Sequence, residues 1–310
     1  MLIALASLKG SPGVTTFAAA LAARWPAQTR GLLVECDPAG GDLAMRFGLP
    51  AEPSLVSLAA ATRRTGDPAV VWEHAHAMPG GASTIPAPMG GMQARAALYA
   101  LVTGPHGLVL DQVARQPGVV VFADCGRLDA GSPAEAIARR ADVLVLITGT
   151  YGDELAHVAA RIHDLGRWAR RSSLLLAGQG YPTPEVEREL GIRAMGRIPH
   201  DPAAAAALAG RAVTSSRRRG SGGLARCAAA VARALATPVP GCAPAGQAPS
   251  PLPDTAGPPQ IPGVPAQQVR FPGVPVTAPP APRPPPGREP RRNGHHALSN
   301  PGRTLGDDHA

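Results

Sequence analysis

The chain has 310 residues, of which 45% are hydrophobic and only 3% aromatic, so a large core is possible but must be built mainly from Ala, Val and Leu. Its net charge of +8 permits attachment to nucleic acid or to an anionic membrane face. The four scattered cysteines argue against a disulfide framework or a zinc site, and no stretch approaches the roughly 18 apolar residues of a membrane span. We therefore expect a cytoplasmic protein without integral membrane insertion.

Short apolar runs alternate with helical patterns along residues 1–237. The predicted strands are 2–7, 31–36, 82–86, 118–123, 143–148, 172–177 and 193–198. The predicted helices are 14–25, 91–102, 132–141, 153–168, 184–190, 202–209 and 221–236. Strands that are apolar on both faces and separated by helices indicate a doubly wound α/β domain, with a mostly parallel sheet and helices on both faces. In such a sheet, ligands bind beyond the carboxyl ends of the strands.

Local signals support the ends of several predicted helices. Thr183 precedes a proline and two acids, which predicts a helix that begins with a threonine cap. Asp201 before Pro202 repeats this start signal ahead of an alanine run. Gly191 and Gly210 lie where C-terminal stops are expected.

The segment after the first predicted strand has the features of an anion-binding loop. Gly10, Ser11 and Gly13 are small residues whose backbone N–H groups can turn toward an anion, and the next helix would point its positive dipole end there. Lys9 is the only lysine in the chain, and a compact, flexible ammonium suits phosphate capture. Thr15 lies where a hydroxyl could complete a magnesium shell beside bound phosphates.

Two later strands are predicted to end in acids. Asp37 follows the run 31–36, where it could orient a water against a terminal phosphate. Asp124 follows the run 118–123, where it could hold magnesium through water. A single acid at a strand end is weak evidence, because such positions also cap helices. The carboxyl ends of parallel strands share one edge of a sheet. The combination of a glycine loop and two such acids, in this order, is therefore stronger evidence of a functional site.

These motifs resemble those of the ParA/MinD family of deviant-Walker P-loop ATPases. Residues 9–16 read KGSPGVTT against the family pattern KGGxGKTT, and residues 35–38 are similar to its switch segment DxDP. Residues 121–124 resemble its Walker B strand, and residues 195–201 resemble the GxIPxD turn that borders its base pocket. The resemblance covers residues 1–237 and implies a P-loop NTPase fold that uses ATP and Mg²⁺.

The resemblance also implies roles for individual residues. The implied cofactor-binding residues are Lys9, Gly10, Ser11, Gly13, Val14, Thr15, Thr16, Pro199 and Asp201. Thr15 and Asp124 would hold the metal, and Asp37 with Lys9 would act in catalysis. In the family the signature lysine reaches across a face-to-face homodimer to the partner's nucleotide. The implied protein is an ATP-binding switch whose dimer acts in partitioning or positioning DNA or a cell-envelope or secretion machine.

Three departures from the family pattern bear on catalysis. Val14 occupies the position of the phosphate-contacting lysine of ordinary P-loops, and Leu8 replaces the first glycine of the loop. The family's base-recognising Asn is missing from residues 177–180. Losing one preorganised cation can slow phosphoryl transfer by a factor on the order of hundreds, so ATPase activity is left open and would be slow. Arg127 is a candidate for replacing the missing charge.

Two other functions remain as alternatives. A catalytically inactive pseudo-ATPase would use the same fold as a scaffold and bind partners through its basic face and proline-rich tail. A metabolic P-loop enzyme, such as an ATP-dependent amidoligase, would need substrate-binding acids and aromatics that the sequence does not offer.

The composition changes at about Pro238 to Pro, Gly, Ala, Arg and His without apolar periodicity. Such a segment cannot bury enough surface to offset its chain entropy, so residues 238–310 are predicted to be a disordered tail that follows a nucleotide-binding domain of residues 1–237. The tail's run 283–288 could dock on a proline-reading partner, although the composition favours a plain solubilising tail. The arginine triple at 217–219 is a candidate contact for non-specific DNA.

Overall fold

The computed structural model describes residues 1–10, 12–26, 28–164, 169–208, 211 and 222–237. The strands are β1 (Leu2–Ser7), β2 (Arg30–Glu35), β3 (His76–Ala77), β4 (Ser83–Ile85), β5 (Val119–Arg127), β6 (Val143–Thr150), β7 (Arg171–Gly180) and β8 (Ala194–Ile198). They form one sheet in the order β3-β4-β2-β5-β1-β6-β7-β8. Only the β3–β4 pair is antiparallel among these described strands. The predicted, mostly parallel sheet is confirmed.

Helices cover both faces of this sheet. They are α1 (Val14–Ala22), α2 (Leu43–Phe47), α3 (Leu55–Ala61), α4 (Val70–Glu73), α5 (Gly91–Thr103), α6 (Val109–Ala114), α7 (Pro133–Arg140), α8 (Gly152–Arg161), α9 (Thr183–Leu190), α10 (Pro202–Leu208) and α11 (Gly223–Ala236). The helices α1 and α11 pack on one face, and α3, α5, α6, α7 and α8 pack on the other. The doubly wound α/β prediction is therefore confirmed.

The central strand β1 shows how the two cores are divided. Ile3 and Leu5 pack into the core under α1 and α11, whereas Leu2 and Ala4 pack into the opposite core. All four side chains are fully buried. Side chains of a strand alternate between the faces of its sheet, so an uninterrupted apolar strand supplies both cores at once. Most of the core is aliphatic, as the composition predicted.

The elements that the sequence did not predict are short. Among them are α2, α3, α4, α6 and β3, which have two to seven residues, too few for apolar periodicity to become visible. The start of α3 carries a capping box that was missed: Ser54 Oγ accepts the N–H of Val56 and Ser57 Oγ accepts the N–H of Ser54.

Several predicted boundaries need correction. Thr183 is not a cap, because Pro182 precedes the helix and Thr183 is its first residue. The helix expected over 153–168 ends at Arg161 and continues as a short 3-10 turn to residue 164. Asp124 lies inside β5, which runs on to Arg127, rather than just after the strand. The stop at Gly191 is confirmed by its left-handed backbone, with φ of 67°.

Some predictions fall on residues outside the described part of the chain. They are Ser11, Gly210, the arginine triple at 217–219 and the tail 238–310. Within the described residues, no helix combines the length and the apolar character that crossing a membrane requires.

Candidate functional site

The loop between β1 and α1 turns on two glycines. Gly10 has φ of 89° and Gly13 has φ of 91°, values in the left-handed region that side chains other than glycine rarely adopt. Gly13 is the N-terminal cap of α1, and no side chain of the described residues forms a capping hydrogen bond there. The backbone N–H groups of the first helical turn are therefore available to an anion, together with the positive end of the helix dipole.

Two cavities meet over the start of α1. The first has a volume of about 840 Å³ and brings predicted site residues together; those that line it are Lys9, Gly10, Gly13, Val14, Thr15, Thr16 and Asp37. The second has a volume of about 860 Å³ and lies toward β6, β7 and β8, where Pro199 and Asp201 line it. Gly13 and Thr16 line both cavities, so a ligand could extend from one to the other.

Asp124 is the buried acid of the first cavity, although it does not itself line the opening. Its carboxyl group is 1% exposed, and burial raises its pKa to about 6, while the neighbouring Thr15 hydroxyl acts in the opposite direction. Its Oδ1 atom accepts the N–H of Gly126 at 3.2 Å, whereas Oδ2 has no hydrogen-bond partner among the described residues. An unpaired buried carboxylate oxygen beside a hydroxyl is a donor set that fits Mg²⁺.

Asp37 is held in place directly after β2. Its Oδ1 atom accepts the N–H of Ala39 at 2.8 Å, and its carboxylate rests on Gly126 so closely that a Cβ there would overlap it. Burial raises the pKa of Asp37, and the positive charge of Arg127 partly opposes this shift. The carboxylate thus has a fixed position in the first cavity, where a water could donate a hydrogen bond to it.

Glu35 supports this region, and the sequence reasoning gave it no role. Its side chain is 2% exposed and accepts the N–H groups of Asp42 at 2.7 Å, Leu43 at 2.9 Å and Ala87 at 2.9 Å. Burial raises its pKa to about 7, and the backbone hydrogen bonds oppose this shift. Glu35 therefore fixes both the start of α2 and the segment that follows β4. Its position in the DxDP-like segment was the signal that could have identified it.

The predicted cations of the loop are engaged elsewhere. The ammonium of Lys9 contacts the carboxylate of Asp153 in α8. The guanidinium of Arg127, the candidate replacement for the missing charge, donates to Asp129 at 3.0 to 3.1 Å. Val14 is only 5% exposed and packs in the core, so its position contributes no charge.

The second cavity is organised by Arg197, which the sequence reasoning also missed. Its guanidinium donates to Thr183 Oγ1 at 3.2 Å, to Thr150 Oγ1 at 3.1 Å and to the carbonyl oxygen of Gly178 at 2.9 Å, and it also reaches the carbonyl of Tyr181. These contacts hold the carboxyl end of β7 and the turn that leads into α9. Gln179, near the end of β7, lines the cavity near the place where the family Asn was expected.

Asp201 lies in the second cavity and also has a structural role. Its carboxylate accepts the N–H of Ala204 at 3.1 Å and the N–H of Leu224 at 3.2 Å. These backbone hydrogen bonds lower the pKa of Asp201, with the one from Ala204 contributing most. The start signal that the sequence gave for α10 is thus a true cap, and the same side chain joins α10 to α11.

A glycine loop after the first strand leads into a helix whose N-terminus lies near two acids toward the carboxyl ends of β2 and β5, and this is the arrangement of a P-loop fold. Comparison with solved structures supports this assignment of the fold. A ParA family ATPase from Chlorobium tepidum TLS matches with a TM-score of 0.60 at 17% identity, over 76% of this chain and 98% of that one. The septum site-determining protein MinD from Pyrococcus horikoshii OT3, complexed with Mg-ADP, matches with a TM-score of 0.57 at 16% identity, over 76% and 95% of the two chains.

A third match is a variant of McdA from Cyanothece in complex with ATP, with a TM-score of 0.56 at 16% identity, again over 76% of this chain and 95% of that one. The chain therefore has a ParA/MinD-like fold, as the motifs indicated. No protein-family model matches the sequence, and no curated protein matches it.

Proposed function

We propose that residues 1–237 form a ParA/MinD-like switch that binds ATP with Mg²⁺ and then closes a homodimer. The observation that carries this proposal is the unpaired Oδ2 atom of Asp124, buried beside Thr15 under an uncapped helix N-terminus. Two solved structures with this fold are a Mg-ADP complex and an ATP complex, which supports a nucleotide as the ligand.

The residues of the site divide the work of binding. The backbone N–H groups from Gly10 to Thr16 and the dipole of α1 would hold the phosphates. Thr15 and Asp124 would hold Mg²⁺, the latter through water, and the ion would neutralise charge on the phosphates. Pro199 and Asp201 line the cavity in which the base would lie.

Hydrolysis and dimer formation depend on other side chains. Asp37 would accept a hydrogen bond from the attacking water, since its carboxylate is fixed by Ala39 and Gly126. Lys9 would leave Asp153 and reach the phosphates of the partner's nucleotide. Because Val14 brings no ammonium to the loop, we expect hydrolysis to be weak.

The proposed task of the dimer is the partitioning or positioning of DNA or of a cell-envelope or secretion machine in the cytoplasm. The net charge of +8 supports non-specific contact with DNA through arginine clusters. The composition of residues 238–310 supports a separate, disordered tail whose proline-rich runs bind a partner.

The experiment measures binding of labelled ATP to the full chain with Mg²⁺ and with a chelator. We expect Thr15→Ala and Asp124→Ala to weaken Mg²⁺-dependent binding by about tenfold or more, since each removes an oxygen near the ion. Thr103→Ala, at the far end of α5, is the matched control and should bind as the parent does. If both site variants bind as tightly as the parent, the proposed roles are wrong.

A pseudo-ATPase scaffold is the second candidate function, and the buried Val14 is the observation that favours it. Steady-state phosphate release separates the two candidates. A switch should release phosphate slowly, and Asp37→Asn should abolish that release without weakening ATP binding. A scaffold should release none above background, even with DNA present.

A further inference from the structure

The phosphate-binding loop has no cation at the position where an ordinary P-loop has one. Val14 is buried in the core, Lys9 contacts Asp153 and Arg127 is bonded to Asp129. A polyphosphate held only by backbone N–H groups and a metal ion would lack a charge-assisted hydrogen bond from the protein. A further cation near the start of α1 is therefore of interest.

Arg46 reaches the start of α1 from the neighbouring helix α2. Its Nη1 atom donates to Thr16 Oγ1 at 3.1 Å, and its Nη2 atom donates to Asp42 Oδ2 at 3.1 Å. Thr16 is two residues beyond Val14, in the first turn of α1. Together with Gly13 and Thr16, Arg46 lines both cavities, so its guanidinium lies where they meet.

The helix that carries Arg46 is fixed at its start, because buried Glu35 accepts the N–H groups of Asp42 and Leu43 there. Arg46 is therefore positioned before any ligand binds.

The existing partner of Arg46 is easily exchanged. The side chain of Asp42 is 71% exposed, whereas that of Arg46 is only 21% exposed. An ion pair with so exposed an acid contributes little, because water screens it. A phosphate group could replace Asp42 while Nη1 stays on Thr16, since the planar guanidinium has five N–H donors.

We propose that Arg46 binds the polyphosphate of a nucleotide and supplies the cation that Val14 does not. This inference rests on the proposed function, because it assumes that the loop binds a nucleotide. It identifies the ligand class as a nucleoside diphosphate or triphosphate, and it assigns Arg46 to the phosphates rather than to the base.

The test uses the full chain and displacement of labelled ATP by inorganic tripolyphosphate and by adenosine. Arg46→Gln keeps a polar group near Thr16 but removes the charge, and it should weaken ATP and tripolyphosphate about 10-fold to 100-fold while leaving adenosine unchanged. Arg46→Lys should lose less affinity for both ligands than Arg46→Gln does, because it keeps the charge but not the fork of donors that reaches Thr16 and a phosphate together. The control is Arg115→Gln, which removes the same kind of i,i+4 pair, with Asp111, at the end of α6 and outside the linings of both cavities.

The outcomes separate this inference from the proposed function. If the parent chain binds neither ATP nor tripolyphosphate, the proposed function fails and the role of Arg46 fails with it. If the parent binds both and Arg46→Gln binds them equally well, only the role of Arg46 is wrong. The role is also overturned if the Gln and Lys variants lose equal affinity, or if adenosine weakens as much as ATP, because the side chain would then act through packing.

Discussion

The two halves of the site hold their loops with opposite chemistry. Around the first cavity, the proposed phosphate side, buried Glu35 accepts three backbone N–H groups from two segments. Around the second cavity, the proposed base side, half-buried Arg197 donates to two carbonyls and two hydroxyls near the carboxyl end of β7. The carboxylate of Glu35 thus binds backbone N–H groups of the surrounding segments. The Oδ2 atom of nearby Asp124 has no hydrogen-bond partner among the described residues. Arg197 instead donates to the carbonyls of Gly178 and Tyr181. The exposed Gln179 between them lines the cavity.

In the proposed function, this difference separates the recognition of phosphate from that of the base. The proposed phosphate side combines backbone donors with a buried acceptor atom, which suits a metal-bound anion. On the proposed base side the carbonyls of Gly178 and Tyr181 already accept from Arg197, so we expect recognition there to depend on the exposed amide of Gln179 and on shape. Substitutions at Glu35 and Arg197 disturb one half at a time.

Glu35→Ala should have the largest effect. The substitution leaves three backbone N–H groups without their acceptor in a buried place, so we expect a loss of about 4 kcal/mol in the free energy of unfolding. Chemical denaturation at pH 7 measures it. Glu73→Ala, an exposed acid on α4, should change stability by less than about 0.5 kcal/mol. Equal effects of the two variants would contradict the supporting role of Glu35.

Arg197→Ala should disrupt the second cavity, the proposed base side, without affecting the first. Its loss removes the four hydrogen bonds that the guanidinium donates to Thr150, Gly178, Tyr181 and Thr183, and we expect destabilisation by about 3 kcal/mol. The folded Arg197→Ala variant should bind adenosine more weakly than the parent does, whereas its affinity for tripolyphosphate should not change. Isothermal titration with the two ligands checks this. A matching loss of both affinities would mean that the two halves are not independent.

The pH dependence of stability tests the burial of Glu35. Its pKa is about 7 in the folded chain against an ordinary value of 4.5. Between these values the folded state keeps a proton that the unfolded state has released, so stability is greatest below pH 4.5 and is lost as the pH rises toward 7. The expected loss is roughly 2 kcal/mol between pH 5 and pH 7. Thermal unfolding measured across this pH range should show that the stability of Glu35→Gln changes less with pH than that of the parent. A parent stability that rises over this range would be inconsistent with a buried, protonated Glu35.

Lys9→Ala should have the smallest effect on stability. The pair with Asp153 is exposed, so its removal should cost less than about 1 kcal/mol. The affinity of the monomer for ATP should also stay close to that of the parent. Sedimentation with Mg-ATP should show, however, that the variant no longer forms the proposed dimer, whereas Asp153→Ala still does. If Lys9→Ala still forms the dimer, the proposed contact of Lys9 with the partner's nucleotide is wrong.

Sequence order was enough to bring several predicted site residues to the first cavity, because they follow soon after strands. Gly10, Gly13, Thr15 and Asp37 needed only strand order and a contiguous motif to be placed at one edge of the sheet. The roles of other residues depend on segments that are distant in the chain. Glu35 contacts Ala87, which lies 52 residues away, and no local pattern announces that contact.

The base side was harder to predict for the same reason. Arg197 contacts Thr150, Gly178 and Thr183, which three different parts of the chain bring to it. Thr183 reads as a helix cap in sequence, but its hydroxyl accepts from Arg197 and the helix begins one residue earlier than a cap would allow. Arg46 was likewise hidden, because α2 has only five residues and its reach to Thr16 depends on tertiary packing.

The most direct test of the phosphate-binding loop is a crystal structure of the chain with Mg²⁺ and a non-hydrolysable ATP analogue. The triphosphate should lie over the N–H groups of Gly13 to Thr16, with the ion beside Thr15 and the Oδ2 atom of Asp124 facing its water shell. Crystals grown at saturating analogue that show no triphosphate over this loop, or show it bound elsewhere on the chain, would contradict the proposed site.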